Sequence, residues 1–302
     1  MPTIVYILAH SRSGSTLLAR MLGQITDWQS VGEVRYVWSR GLIDNERCGC
    51  GQAFANCSFW SAVVKEAYGG VDPAAARDMA HAIRSGDRVW RMGAFGTHRF
   101  RGSRAGRHRA EALRLIDRLY TAIATVGQAS VVVDSSKSPS YAHLLSSVPG
   151  ARVHMIHLVR DSRGVAYSRL RRLARGELQS RSPNLLVART ALEWVAVNDL
   201  AHRLSAKVPS TLVKYEDLVA DPGGTLRHIA QDMGQPVPNL AFLDDADVVL
   251  PADHLVSGNQ MRFENGRIPL RRDDEWQHKL SRGQILILKS LTFPWMHRYG
   301  YP

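Results

Sequence analysis

A short segment of hydroxyl-bearing residues, one arginine and one glycine follows the first apolar run of the chain and has the composition of an anion-binding loop. The apolar run Thr3–Ala9 has the length of a strand, and apolar residues return at helical spacing directly after the loop. At such a junction, backbone N–H groups and the positive end of the helix dipole converge on one anion. The loop residues that could hold a phosphate group are Ser11, Arg12, Ser13, Gly14, Ser15 and Thr16.

This loop departs from the Walker A sequence of nucleotide hydrolases, G-x-x-x-x-G-K-[ST]. Gly14 and Thr16 match that sequence, but Ala9 replaces its first glycine and Ser15 replaces its lysine. Because that lysine supplies the charge at the terminal phosphates, an ATPase or GTPase is disfavoured. Arg12 supplies a cation inside the loop instead. A Ser/Gly turn that binds no ligand is the alternative interpretation.

A second anion-binding pattern lies at the end of a later apolar run. The run Val153–Val159 is typical of a buried strand, and Arg160 follows it directly. Ser168 lies further along, on the helix predicted after that strand. A guanidinium can bind a phosphate group through two parallel hydrogen bonds, and a hydroxyl on the following helix can donate another. The chain therefore carries a second candidate phosphate site far from the first.

Together, the two segments resemble the donor-binding segments of sulfotransferases that use 3′-phosphoadenosine 5′-phosphosulfate (PAPS), particularly the bacterial and carbohydrate branches. The run Ser11–Leu18 is similar to the 5′-phosphosulfate loop, with arginine where cytosolic members carry lysine. Arg160 and Ser168 match, at the same spacing, the arginine and serine that bind the 3′-phosphate in that family. The resemblance implies a PAPS-dependent sulfotransferase. A P-loop small-molecule kinase that uses ATP and a catalytically silent nucleotide-binding protein are the alternatives.

The resemblance extends to three more donor-binding residues. Tyr215 follows the fourth predicted strand, like the tyrosine of the family's Tyr-Glu-Asp segment that helps to hold the adenine end. Asn259 and Arg262 resemble the donor-covering segment of bacterial members, in which Arg262 would be a second phosphate ligand. A tyrosine that serves only in packing is the alternative for Tyr215.

Sulfuryl transfer requires cations at the leaving phosphate and a base for the proton of the attacking hydroxyl. Arg12 lies in the right loop to stabilise the leaving group. The resemblance implies that Lys137 contacts the sulfonate, and that Glu33 is the general base. Carbohydrate and several bacterial members use a glutamate shortly after the first helix, in a segment similar to Gly32–Tyr36.

Other assignments of the catalytic groups remain open in the sequence. Cytosolic members use a histidine two residues after the lysine, but that position is Pro139 here. His143 and His154 are weaker candidates for the base, on a predicted helix and a predicted strand. Glu33 could instead form an ion pair with Arg35 or another local arginine, and Lys137 could be a surface lysine.

The elements that must position these residues have the pattern of an α/β protein. Short apolar runs alternate with helical patterns, which is typical of a parallel sheet covered by helices. The predicted strands are Thr3–Ala9, Ser130–Asp134, Arg152–Val159 and Ser210–Lys214, each followed by a helix. The carboxyl ends of parallel strands share one edge, so Arg12 and Lys137 can reach the same crevice. The prediction is a single domain, residues 1–302, with a P-loop-like three-layer fold.

Two segments interrupt this alternation. Residues 28–128 separate the first two predicted strands, and we predict a mostly helical inserted subdomain on the acceptor side, residues 34–128. Residues 236–266 are poorly periodic and are predicted to be loop-rich, the kind of segment that often covers a site. The acceptor pocket is expected to form from the insertion and the region 172–190.

Composition limits the partners. The chain has 302 residues and a formal net charge of +12, mostly from arginine, so anionic partners are favoured. The arginine-rich run 84–109 is either solvated surface or acceptor-binding, and without a nucleic-acid module we expect no nucleic acid. The sequence contains no apolar run long enough to span a membrane and no signal peptide pattern, so a cytoplasmic location is predicted. The expected acceptor is a small molecule, sugar or lipid bearing a hydroxyl.

The cysteines lie close together in the sequence, at Cys48, Cys50 and Cys57. Three interpretations stay open: free structural thiols, one disulfide, or a metal site. A zinc site needs a fourth ligand, and neither a flanking histidine nor a second C-x-x-C is present. Sulfuryl transfer itself requires no metal or redox cofactor, so none is expected.

Overall fold

In a computed structural model of the protein, which describes residues 1–87, 104–244 and 246–302, the central layer is a parallel sheet of five strands. The strands lie in the order β2-β3-β1-β4-β5, so that β1 is central. Their bounds are β1 Thr3–Ala9, β2 Trp28–Gly32, β3 Val131–Asp134, β4 Arg152–Val159 and β5 Ser210–Lys214. The predicted strands are thus confirmed, the second with a start one residue later.

Both faces of the sheet are covered, as the sequence of β1 requires. Ile4, Tyr6 and Leu8 pack into the core on one face, whereas Val5 and Ile7 pack into the core on the other. Successive side chains of a strand point to opposite faces, so an unbroken apolar run is buried only when both faces carry a layer. The predicted three-layer α/β fold with a central parallel sheet is confirmed.

Helices form the two outer layers. One face of the main sheet carries the helix Ser15–Leu22, the helix Pro222–Asp232 and a small second sheet. The other face carries the helices of the insertion. Up to the end of the insertion, the helices are α1 Ser15–Leu22, α2 Ser58–Tyr68, α3 Pro73–Gly86 and α4 Arg104–Gly127. Those after it are α5 Pro139–Leu145, α6 Ser162–Ala174, α7 Pro183–Ser205, α8 Tyr215–Ala220, α9 Pro222–Asp232, α10 Trp276–Lys279 and α11 Arg282–Arg298.

The sequence analysis predicted no strand in residues 28–32, but they form β2 at one edge of the main sheet. β2 pairs in parallel with β3, and its register shifts between Ser30 and Gly32. The strand is short and mixes polar with apolar residues, so it lacks the continuous apolar run of a central strand. Pairing with β3, rather than local sequence, makes it a strand.

Residues 236–266 are mostly loop, as expected, but they also contribute to a small sheet that the sequence analysis did not predict. Within the described residues, β6 Leu243–Asp244, β7 Asp247–Leu250 and β8 Gly266–Pro269 form an antiparallel sheet. These strands span two to four residues each, too few to produce a readable alternation. They are held by packing on the main core through Val248 and Ile268.

The insertion is mostly helical where it is described, through α2, α3 and α4. Residues 88–103, which carry much of the arginine-rich run, lie outside the described residues. The role of that run and the assignment of residues 34–128 to the acceptor side stay predictions. None of the helices in the described ranges combines the length and apolar character that a membrane span requires.

Candidate active site

A cavity of about 580 Å³ opens at the carboxyl edge of the main sheet. Every strand of that sheet contributes to its lining at or shortly after its last residue. The contributions are Arg12 and Gly14 after β1, Glu33 after β2, Lys137 after β3, Arg160 after β4 and Tyr215 after β5. Open parallel sheets bind their ligands at this edge. The structure thus brings these predicted residues to one cavity.

Two residues of the loop between β1 and α1 have a left-handed backbone conformation, with positive φ. Arg12 has a φ of 73° and Gly14 a φ of 87°. A Cβ atom on Gly14 would lie 2.4 Å from Cδ2 of Tyr215, so the ring of Tyr215 rests against bare backbone. Gly14 is therefore required both by its conformation and by this close approach. The loop then enters α1, where Leu18 N donates to Gly14 O at 3.0 Å.

We expect Gly14→Ala to destabilise the protein by more than left-handed strain alone, which costs about 1–3 kcal/mol. The added Cβ would also displace the ring of Tyr215. Urea unfolding measures the free energy, with Gly69→Ala as the control. Gly69 has a φ of 74° but nothing within 4 Å of its hypothetical Cβ. Equal losses in the two variants would contradict the close approach to Tyr215.

The two candidate phosphate-binding segments meet in this cavity. Arg12 Nε donates to Ser168 Oγ at 3.0 Å, across 156 positions of the sequence. Arg160 Nη1 donates to Arg12 O at 2.8 Å, and Arg160 Nη2 donates to Asp273 Oδ2 at 2.8 Å. The guanidinium carbon of Arg160 lies 4.4 Å from the centre of the Tyr215 ring. The loop after β1 and the segment after β4 therefore form one continuous polar surface.

Positive charge is concentrated on this surface. Arg171 and Arg172 also line the cavity, one helical turn after Ser168 on α6. Burial, and then the charges of Arg172, Arg160 and Arg171, lower the pKa of Arg12. An arginine stays protonated in such surroundings, so the cluster favours an anionic ligand. Sequence reasoning missed Arg171 and placed Arg172 only in the acceptor region 172–190. Their i+3 and i+4 spacing from Ser168 places both on its helix face.

Glu33 and Lys137 form an ion pair between their Oε1 and Nζ atoms. Lys137 Nζ also donates to Ser135 O at 3.0 Å, and Glu33 is 8% exposed. Arg35, the partner considered from sequence, pairs with Asp87 instead. Glu33 and Lys137 both line the cavity, so a carboxylate and an ammonium group stand together at its edge.

Asp134, at the end of β3, fixes the backbone around this pair. Its Oδ1 accepts from Ser136 N at 2.7 Å and from Val34 N at 3.4 Å, and its other oxygen accepts from Tyr120 Oη. The side chain is fully buried. Burial raises the pKa of Asp134 to about 6, although the hydrogen bonds from Ser136 and Tyr120 act to lower it. The Asp134 carboxyl group thus holds in place both the loop that leads to Lys137 and Val34, the residue that follows Glu33.

We expect Asp134→Asn to change how stability depends on pH. Between about pH 4 and pH 6 the folded chain binds the Asp134 proton more tightly than the unfolded chain, so this stabilising contribution is lost as pH rises. The free energy of unfolding of the variant minus that of wild type should therefore increase by about 2–3 kcal/mol between pH 4 and pH 7. Urea unfolding across pH measures this, with exposed Asp44→Asn as control. Parallel profiles of wild type and Asp134→Asn would contradict it.

Some predicted residues lie elsewhere. Ser11, Ser15, Thr16 and Asn259 line the cavity with those already placed, but Ser13 and Arg262 do not. The Ser13 hydroxyl is buried and has no hydrogen-bond partner among the described residues. Arg262 is buried, and its Nη1 donates to Gly258 O at 2.8 Å. The alternative bases, His143 on α5 and His154 on β4, are likewise outside the lining.

A parallel sheet whose central strand leads through an anion-binding loop into a helix defines a P-loop-like fold. In sequence, the profile of the sulfotransferase family matches residues 2–239. The chain therefore belongs to the sulfotransferase family, which supports a sulfotransfer reaction.

Several solved structures are similar in fold, and two of them are sulfotransferase domains. One is the sulfotransferase domain from the curacin biosynthetic pathway, at 17% identity and a TM-score of 0.56 over 100% of this chain and 99% of that one. The other is the sulfotransferase domain from the Synechococcus PCC 7002 olefin synthase, at 17% identity and a TM-score of 0.51 over 96% and 95%. No curated protein matches the sequence significantly. At these identities the likeness concerns the fold.

Proposed function

We propose that the protein transfers the sulfonate group of PAPS to a hydroxyl of a small-molecule, carbohydrate or lipid acceptor and releases adenosine 3′,5′-bisphosphate. The observation that carries this proposal is the hydrogen bond from Arg12 to Ser168, which joins the two phosphate-binding segments at one cavity. A donor with phosphate groups at two ends needs two such segments. The cavity volume of about 580 Å³ falls within the ~300–1,000 Å³ of small-ligand sites.

The charges of the lining support an anionic donor. The β1–α1 loop with Arg12 would hold the phosphosulfate, and Arg160 with Ser168 would hold the 3′-phosphate. Tyr215, which contacts Gly14 and Arg160 and lines the cavity, would help to hold the adenine end. ATP has no 3′-phosphate, so the presence of the Arg160–Ser168 segment in the same cavity supports PAPS over ATP as donor.

In the proposed reaction Glu33 acts as the general base. It takes the proton of the acceptor hydroxyl while the acceptor oxygen bonds to sulfur, and the bond between sulfur and the phosphate-bridging oxygen breaks. The electron pair of that bond stays on the 5′-phosphate of the leaving nucleotide. Arg12 and Lys137 supply positive charge where negative charge grows on the leaving oxygen. The ion pair with Lys137 holds the Glu33 carboxylate at the edge of the cavity.

The acceptor would enter from the insertion side of the cavity. Tyr36 and Arg40, at the start of the insertion, line it there, and Arg40 Nη1 donates to Ser257 Oγ at 2.7 Å. Glu177 lines it after α6. A mixed lining of arginine, tyrosine and glutamate favours a polyhydroxylated or anionic acceptor. A labelled-donor screen over sugars, phenols, lipids and peptides, read by mass spectrometry as the gain of SO₃, identifies it.

Thermal unfolding with nucleotides tests the donor. We expect adenosine 3′,5′-bisphosphate to raise the melting temperature without Mg²⁺, because a ligand that binds only the folded state stabilises it. At 100 times its dissociation constant the gain is about 2.7 kcal/mol. Stabilisation only by ATP with Mg²⁺ would instead support the kinase. Stabilisation by neither nucleotide would contradict both the PAPS donor and the kinase and would favour a scaffolding protein.

A further inference from the structure

The three cysteines meet a histidine from a distant part of the chain. The ligand atoms of Cys48, Cys50, Cys57 and His254 all lie within 4.8 Å of one another. His254 Nδ1 lies 3.3 Å from Cys57 Sγ and 3.9 Å from Cys48 Sγ, and 197 residues separate His254 from Cys57. All three cysteines are free thiols in the structure. The fourth ligand that the sequence around the cysteines lacks is therefore supplied by the fold.

The two sulfur–nitrogen distances are close to those around a single tetrahedral ion. With Zn–S bonds of about 2.3 Å and a Zn–N bond of about 2.0–2.1 Å, tetrahedral ligands lie roughly 3.8 Å apart for two sulfurs and 3.6 Å apart for sulfur and nitrogen. The two sulfur–nitrogen distances fall on either side of that value. Three sulfurs and one imidazole nitrogen at this spacing suit zinc, which prefers such ligands in closed structural sites.

The surrounding structure holds each ligand in place. Cys48 N donates to Gln52 O and Gly51 N donates to Cys48 O, both at 2.8 Å, which closes a tight turn around the first two cysteines. The His254 ring stacks on Phe59, with ring centres 4.9 Å apart and planes at 10°. The backbone oxygen of His254 accepts from Trp60 Nε1 at 2.8 Å. Cys48 and Cys57 are buried.

We propose that Cys48, Cys50, Cys57 and His254 bind one Zn²⁺ ion in a closed structural site. The three thiols release their protons on binding, so the ligands are three thiolates and one neutral imidazole. Four protein ligands leave no open position for substrate or water, so the ion takes no part in the transfer. The sequence analysis expected no metal, both from the chemistry of sulfuryl transfer and from the lack of a fourth ligand near the cysteines. The proposal departs from that expectation because His254, from a distant segment, lies beside them.

The ion would tie the insertion to the segment that borders the active-site cavity. The two residues that follow His254 are both held by backbone hydrogen bonds: Leu255 O accepts from Gly49 N at 2.9 Å, and Val256 O accepts from Glu33 N at 2.9 Å. Gly258 and Asn259, which line the cavity, follow on the same segment. Zinc would thus fix the path of this segment next to Glu33, whatever the donor and acceptor prove to be.

Metal analysis of the untagged full-length protein, purified without chelator, tests the proposal. We expect about one zinc ion per chain. After dialysis against a weak chelator, the Cys57→Ser and His254→Ala variants should each retain at most about one-tenth of the zinc that wild-type protein retains. His254→Cys, which supplies a fourth thiolate, should keep the ion. His228→Ala, a substitution of an exposed histidine on α9, is the matched control and should also keep it.

Ligand variants that unfold would lose zinc for a trivial reason, so wild-type protein provides an independent measurement. With Co²⁺ in place of zinc, we expect the visible bands of a tetrahedral ion and a sulfur-to-cobalt charge-transfer band in the near ultraviolet. Wild-type protein with less than about one-tenth of a zinc ion per chain and no such spectrum would overturn the proposal. So would iron in place of zinc, a disulfide among the three cysteines, or full zinc retention by both Cys57→Ser and His254→Ala.

Discussion

Glu33→Gln should abolish turnover while the nucleotide still binds. The amide cannot take the proton of the acceptor hydroxyl, and general base catalysis contributes about 10²–10⁴-fold to a rate. We therefore expect kcat with the acceptor identified by the screen to fall by that factor. The substitution also leaves the charge of Lys137 without its partner, so affinity for adenosine 3′,5′-bisphosphate should be unchanged or higher. Titration calorimetry and a labelled-donor assay measure the two quantities.

The matched control for this variant is Glu66→Gln, which makes the same change on the exposed side of α2. It should leave both kcat and affinity as in wild type. Glu33→Asp keeps the carboxylate but shortens it, and should retain more activity than Glu33→Gln. Turnover by Glu33→Gln within about threefold of wild type would remove Glu33 from the role of base.

Arg160→Ala should weaken binding of adenosine 3′,5′-bisphosphate by about 30- to 1,000-fold. Loss of one partner from a buried, hydrogen-bonded charge pair costs about 2–4 kcal/mol, and each 1.4 kcal/mol is a factor of ten in affinity. Arg160 is 6% exposed, so its interaction with a bound phosphate would be little screened by water. Ser168→Ala removes one hydroxyl and should cost about tenfold.

A matched ligand separates loss of phosphate recognition from damage to the fold. Arg160 also donates to Arg12 O and contacts Tyr215, so its removal could disturb the whole cavity. Adenosine 5′-phosphate lacks the 3′-phosphate, and its weaker affinity should be nearly the same in Arg160→Ala and wild type. Arg203→Ala, an exposed arginine in an i,i+4 pair, should change neither ligand's affinity. Equal losses for the two nucleotides would contradict the assignment of Arg160 to the 3′-phosphate.

The carboxylate of Asp273 would compete with a bound 3′-phosphate for the guanidinium group of Arg160. Its Oδ2 accepts from Arg160 Nη2 at 2.8 Å and from Arg171 Nη2 at 3.0 Å. A phosphate bound by Arg160 would meet this carboxylate as a like charge, so Asp273 opposes binding unless it moves away. Sequence analysis could not have found this acid, since it lies more than 100 positions from either arginine.

Local spacing was enough to predict β1, β3, β4 and β5, which each contain a short apolar run, and the loops at their ends. A buried strand followed by small residues and a helix is a contiguous pattern, so Ser11–Thr16 and Arg160 could be assigned to the sheet edge before the fold was known. The strand β2 could not, because its five residues gain their stability from pairing with β3. The strands β6, β7 and β8 were missed because two to four residues are too few to show an alternation of apolar and polar side chains.

The sequence by itself determined the family motifs, the parallel α/β class and the edge of the sheet where the candidate site lies, because each depends on residues that are neighbours along the chain. Only the tertiary structure decided which distant side chains meet. Glu33 pairs with Lys137 across 104 positions, Arg12 with Ser168 across 156, and Cys57 approaches His254 across 197. Such contacts depend on the strand order and on the path of the insertion, which hydrophobic periodicity does not encode.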